Sequence, residues 1–165
     1  MKKVIPCIVL IITVCLIACK KNDVEPAFTS YLRFNLEALP TACNTRINAS
    51  YLPPAIGPDK IITISGTWAN GSIELYLNEA EVLKAGNYPL QADKWRIFTL
   101  YSSDPNGRTY TAGASGGIVS GSGSITITEI SAEYVKGNFE YITGIDGATN
   151  TFKTVTNGDF HIKRG

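Results

Sequence analysis

The chain has 165 residues, 15 of them Lys or Arg and 14 Asp or Glu, for a formal net charge of +1 at pH 7. That length gives one domain enough residues for a real core. The near-neutral balance and the absence of a basic stripe exclude an electrostatic nucleic-acid binder. Threonine, serine, isoleucine, tyrosine and glycine are abundant, which favours strands and turns over helices.

Met1-Lys2-Lys3 is a positive n-region, and Val4 to Ala18 is apolar except for Thr13. A helix of that length spans ~22 Å, short of the ~30 Å hydrocarbon core of a bilayer. The stretch therefore reads as a signal-peptide core over residues 1–18, not a membrane span. Its end, Leu16-Ile17-Ala18-Cys19, resembles the lipobox of bacterial lipoprotein signal peptides. The resemblance implies that the Cys19 thiol takes a diacylglyceryl group and that cleavage leaves Cys19 as the new N-terminus. The competing reading is an ordinary secretory signal with an incidental cysteine. Each buried methylene contributes ~0.8 kcal/mol, so two or three acyl chains on Cys19 would hold the protein in a membrane. Without Lys2 and Lys3 the remainder holds 13 basic and 14 acidic residues, a formal charge of −1.

Cys7 and Cys15 leave with the leader and Cys19 is spent on lipid, so Cys43 is alone and forms no internal disulfide. It is read as a small buried residue, with a reactive nucleophile or an intermolecular bridge as the sharper alternatives. Residues 19–27 form the lipidated tether, polar from Lys20 with Pro26 near the end, and residues 28–165 form one β-domain.

In Tyr31 to Leu39, Leu32, Phe34, Leu36 and Ala38 alternate with polar or larger neighbours, a period of two. Ala42 to Tyr51 forms a second strand that points Cys43 or its neighbours inward. Pro53, Pro54 and Pro58 make Leu52 to Lys60 a loop. A hairpin follows: Ile62, Ile64 and Trp68 share one face, as do Ile73, Leu75 and Leu77, and Ala69-Asn70-Gly71 between them suits a tight turn with positive φ. Asn78 to Gly86 is assigned one turn of helix, with Asn78 as N-cap, Glu81 as capping-box partner and Gly86 as terminator. Trp95–Ser102 has apolar groups on both faces and is placed centrally. Asp104-Pro105-Asn106-Gly107 is a turn, Tyr110 and Ala112 belong to the next strand, and glycine-rich Gly113–Gly123 is a loop. Ile125 and Ile127 share a face, then Val135, Phe139 and Tyr141. Ile145-Asp146-Gly147 marks a further turn. Asn150–Lys163 closes the chain with Phe152, Phe160 and Ile162, interrupted at Asn157-Gly158 by a bulge or a turn. Eight to ten short strands with at most one short helix predict an all-β fold, an antiparallel sandwich or small barrel.

Four stretches carry a resemblance from Tyr31 onward: the hairpin Ile61–Leu77; Gly86-Asn87-Tyr88-Pro89-Leu90; Ile125-Thr126-Ile127-Thr128-Glu129 followed by Lys136-Gly137-Asn138-Phe139; and Thr156-Asn157-Gly158-Asp159-Phe160. In their order and spacing the chain resembles a family of small envelope lipoproteins, known mainly from Bacteroidota, whose domain has no known function. The resemblance implies an all-β, lipid-anchored protein of the cell envelope and supplies no catalytic residues. The start departs from that pattern, because Ala42–Ser50 lacks the glycine of an Asn-Gly hairpin.

The residues that carry chemistry are sparse. His161 is the only histidine, and alternation sets it opposite Phe160 and Ile162, beside Asp159 and Lys163. A Ser-His-Asp site is defined by geometry that spacing does not supply, so a solvated strand residue is favoured. One histidine and one cysteine do not make a clustered metal set, so no metal or cofactor is expected. A calcium loop opening at Asp104 would need Glu at its twelfth position, which is Ser115. Gly113–Gly123 lacks the Gly-Lys-Ser/Thr ending of a phosphate loop. Glu79 with Glu81, and Glu129 with Glu133, are carboxylate pairs in sequence only. Tyr31 and Tyr76 fall on the polar faces of their strands, where they either stack a sugar or partner or are partly buried by a covering layer.

These features point to a non-enzymatic, lipid-anchored β-domain that binds a small ligand or a protein partner at the cell envelope, the outer membrane by preference. The alternative is a structural or assembly component of an envelope complex, and an envelope hydrolase is the least favoured. A pocket lined by Trp68, Trp95 or tyrosines would favour a ligand. A filled interior with an exposed apolar patch would favour a partner. His161 meeting carboxylates in one cleft would favour the enzyme.

Overall fold

The computed structural model describes residues 28–51, 60–102, 107–115, 117–146 and 149–165. The leader 1–18, Cys19, the tether to Ala27, the proline loop at 52–59 and most of the Asp104 turn lie outside the described residues.

The described residues form twelve strands and no helix: β1 Tyr31–Leu36, β2 Leu39–Ala42, β3 Thr45–Tyr51, β4 Ile61–Trp68, β5 Gly71–Asn78, β6 Gly86–Pro89, β7 Trp95–Ser102, β8 Thr109–Ser115, β9 Ile118–Ser120, β10 Ser122–Ile130, β11 Tyr134–Ile142 and β12 Thr154–Lys163. They build two six-stranded antiparallel sheets, in the orders β2-β1-β12-β11-β10-β6 and β3-β4-β5-β7-β8-β9. The sheets pack as a sandwich and do not close into a barrel. The chain crosses between them four times, from β2 to β3, from β5 to β6, from β6 to β7 and from β9 to β10, and a parallel bridge from Ala49 to Arg164 also joins them.

The period-two pattern places the core. Leu32 and Phe34 of β1, Ile62 and Ile64 of β4, Ile73, Leu75 and Leu77 of β5, and Phe98 and Leu100 of β7 are buried between the sheets. Ile125, Ile127, Val135, Phe139, Tyr141, Val155, Phe160 and Ile162 meet them from the other side. Each large side chain so buried contributes ~1.5–3 kcal/mol against the entropy of ordering the chain. Two glycines make room for neighbours. A Cβ at Gly66 would lie 2.8 Å from both Cys43 Sγ and Leu32 Cδ2, and one at Gly137 would lie 2.6 Å from Phe160 Cζ.

Several local expectations are corrected. The first strand stops at Leu36 because Glu37 and Ala38 turn left-handed, with φ of 50° and 69°. That turn sends Leu39–Ala42 back along β1, so the strand containing Cys43's neighbours is two strands. The Ala69-Asn70 turn is tight, with Trp68 paired to Gly71, yet neither Asn70 nor Gly71 has positive φ. Gly71 instead answers to close approach: a Cβ there would sit 2.2 Å from the Tyr101 carbonyl oxygen and 2.6 Å from Trp68 Cζ2. No helix forms at Asn78–Gly86. Asn78 ends β5, Gly86 opens β6, and the Tyr88 hydroxyl bonds both the amide and the carbonyl of Lys84. The glycine-rich 113–123 region is mostly strand, because its small residues let β8, β9 and β10 turn the corner between sheets. The last strand begins at Thr154 and carries a bulge at Asn157, whose φ is 52°.

Candidate functional site

A concavity opens at the end of the sandwich where β1 turns into β2. It is a cleft of about 510 Å³ lined by Leu36, Glu37, Leu39–Ala42, Asn44, Trp68–Asn70, Leu100, Ser102, Tyr110 and Lys153. Its apolar wall comes from inward positions at the ends of β4, β7 and β8. Leu100 and Tyr110 are buried, and the Trp68 indole is half-buried. The indole meets Phe34 edge to face, with ring centroids 5.4 Å apart, and lies over the bare Cα of Gly71. A ring wedged between a phenyl group and a glycine is positioned before any ligand arrives.

The polar rim is equally fixed. Lys153 Nζ donates to Glu37 Oε2 at 2.8 Å and stands 5.5 Å from the centroid of the Tyr110 ring. The Lys153 backbone is held at both ends by Thr143, through Thr143 N to Lys153 O and Lys153 N to Thr143 Oγ1. Glu37 N donates to Thr154 O at 2.9 Å. The left-handed Glu37-Ala38 turn is strained for two residues with a Cβ, and such strain gathers at binding sites. Leu39, 70 % exposed, is part of the rim, and Phe152, 51 % exposed, precedes Lys153 in the chain.

The candidates read from sequence lie apart from one another. Cys19 is outside the described residues. Cys43 is buried between the sheets, and burial raises its thiol pKa from the ordinary 9.0 to about 12, so it is no nucleophile near neutral pH. His161 is on the outer face, as alternation placed it, but it is packed rather than solvated. The rings of Phe28, Tyr31 and Tyr134 surround it at centroid distances of 4.4, 6.0 and 4.8 Å. Its Nε2 is buried without a hydrogen-bond partner among the described residues. Asp159 does not orient it, because that carboxylate accepts from Arg33 Nη2 at 2.7 Å and Nε at 3.2 Å.

Glu79 and Glu81 are not a working pair. Glu79 Oε1 accepts from Arg96 Nε at 2.7 Å. Arg96 is 5 % exposed, also donates to the Pro89 carbonyl, and stands over the Tyr88 ring. This buried cation, placed inward by the alternation of β7, ties β7 to β6 across the sandwich. Glu129 accepts from the Tyr134 hydroxyl. Among the described residues no three His, Cys, Asp or Glu side chains gather as metal ligands. Ser115 sits in β8 opposite Ile118. Tyr31 and Tyr76 are half-buried on outer faces; Tyr76 packs near Trp95, 6.5 Å between centroids, and Trp95 is 56 % exposed. Of the two tryptophans, then, only Trp68 belongs to the cleft. Sequence reading missed Glu37, Lys153 and Tyr110 as a group, since 116 residues of chain separate the ion pair.

Residues 47–162 match the family described as a domain of unknown function (DUF6252), and the chain belongs to that family. No curated protein and no solved structure matches the chain.

Proposed function

We propose that this DUF6252 member is a non-enzymatic, lipid-anchored binding module of the cell envelope. In this reading the leader 1–18 is removed, Cys19 is acylated in the outer membrane, residues 20–27 are the tether, and the end cleft takes a small ligand. The observation that carries it is the placement of the cleft relative to Phe28, the first described residue. Phe28 packs beside Tyr134 and His161 at the start of β1, whereas Leu36, the last residue of β1, lines the cleft. Six residues of strand put ~20 Å between the two, so a domain held through its N-terminal segment presents the cleft away from the lipid.

A cleft of about 510 Å³ is within the ~300–1,000 Å³ range of small-molecule sites. A thermal-shift screen of the acylated chain in detergent, against envelope glycans, lipids and metabolites, tests this reading. A ligand at a hundred times its Kd stabilises by ~2.7 kcal/mol, which raises Tm by roughly 5–10 °C at this size. Silence across a broad panel would move the assignment to a protein partner at the same end, a second reading drawn from the exposed Leu39 and Phe152. The anchor has its own test: Cys19→Ser should remove the mass of the acyl groups and release the protein from membranes. A variant that still sediments with membranes would count against acylation.

A further inference from the structure

We infer that the end cleft recognises a neutral sugar ring, the terminal residue of a glycan. The inference rests on the proposal that this cleft is the binding site, and it names the ligand's chemistry. A pyranose has one face of C–H groups and a girdle of hydroxyls that both donate and accept. The cleft offers the matching halves. Its lining is aromatic and aliphatic: the half-buried Trp68 with Leu36, Leu39 and Pro40, alongside Tyr110 and Leu100, which are themselves buried. Around that lining stand Asn44, Asn70 and Thr41, whose amide and hydroxyl groups donate and accept alike. Tryptophan supplies a large, rigid apolar surface at low entropic cost, and this indole is already held by Phe34 and Gly71.

Charge narrows the class further. Glu37 and Lys153 neutralise each other at 2.8 Å, so among the described residues that line the cleft there is no uncompensated cation for a phosphate or a sugar acid and no free carboxylate for an amine. An anionic ligand would have to break that pair. The same pair can accept from one hydroxyl and donate to the next, which suits a diol. A fatty chain would need a dry, enclosed cavity, whereas this cleft is open and polar at its rim. The open mouth lets the rest of a glycan continue into solvent.

The chain carries its own reporters, since its two tryptophans are Trp68 in the cleft and Trp95, which is exposed on the outer face of the same sheet and does not line the cleft. In the acylated chain bearing Trp95→Phe, emission comes from Trp68 alone. It is titrated with neutral oligosaccharides ending in glucose, galactose, mannose or N-acetylglucosamine, with a sialylated oligosaccharide, with palmitate and with an unstructured peptide mixture. The expected result is a saturable change of Trp68 emission with a neutral oligosaccharide and none with palmitate. Asn70→Ala, an exposed turn substitution that leaves the core intact, should weaken that binding about tenfold, and Trp68→Ala should weaken it more. Saturable binding of palmitate or peptide with silence from every saccharide would overturn the sugar inference and leave the cleft as a binding site. Saccharide binding that neither Asn70→Ala nor Trp68→Ala weakens would put the sugar elsewhere and overturn it too. Silence from every probe would overturn both the inference and the reading beneath it.

Discussion

Tyr141→Phe should stabilise this protein, although it removes a polar group from the largest fully buried side chain of the core. Tyr141 is 2 % exposed, 5.1 Å from the Phe98 centroid and 6.3 Å from that of Phe139. Its hydroxyl has no hydrogen-bond partner among the described residues. Burial, and after it the neighbouring Cys43 sulfur, raises the phenol pKa well above its ordinary value, as expected of a hydroxyl without a favourable polar partner. A buried, unpaired hydroxyl costs ~1–3 kcal/mol relative to the solvated unfolded chain. Replacing it by hydrogen forfeits the contacts of one oxygen, a few tenths of a kcal/mol. The net gain is therefore ~1 kcal/mol. With a urea m-value of ~2 kcal/mol/M, the unfolding midpoint should rise by ~0.5 M, and Tm by ~3–4 °C. Equilibrium urea unfolding of the two proteins, followed by tryptophan emission and far-UV circular dichroism, measures it. A loss of ~1 kcal/mol or more would refute the reasoning, because it would mean the hydroxyl makes a bond in the folded state.

Three further outcomes follow from the same structure. Stability should fall at alkaline pH: the unfolded Cys43 thiol ionises near 9.0 while the folded thiol holds its proton to about 12, so its contribution is whole below pH 9 and is lost between 9 and 12. Each such group adds at most about 1.4 kcal/mol per pH unit, and Cys43→Ala should flatten that decline in unfolding free energies measured from pH 8 to 11; an unchanged slope would contradict the buried thiol. Ala38→Gly should add ~0.5–1 kcal/mol, since glycine meets φ of 69° without the Cβ penalty, and a lower midpoint in urea would show that the left-handed turn is not strained. Glu79→Ala strands the buried Arg96 guanidinium and should cost ~2–4 kcal/mol; a change under ~0.5 kcal/mol would show that Arg96 is solvated.

Alternation by itself determined which residues face the core. Leu32 and Phe34, Ile62 and Ile64, Ile125 and Ile127, and Phe160 and Ile162 are buried as a period of two requires, because a strand's side chains have only two directions to take. The all-β class and the sandwich alternative follow from that pattern and from the turn residues. Left-handed backbone at Glu37 and Ala38 was illegible, because neither residue type favours it; the pairing of β2 with β1 imposes it. Asn78–Gly86 has good capping residues, but Asn78 is taken by the end of β5 and Gly86 by the start of β6, and the ion pair of Glu79 with the buried Arg96 fixes the segment between them, which outweighs the few tenths of a kcal/mol that helix propensity supplies. His161 was placed on the correct face, yet its burial depends on Phe28 and Tyr134, which reach it from other segments. The cleft is wholly tertiary. Trp68, Tyr110, Glu37 and Lys153 are far apart in the chain, and only the sheet order and the stagger of its turns bring them to one mouth. Local pattern encodes direction along a strand, whereas a site of this kind depends on which strands become neighbours.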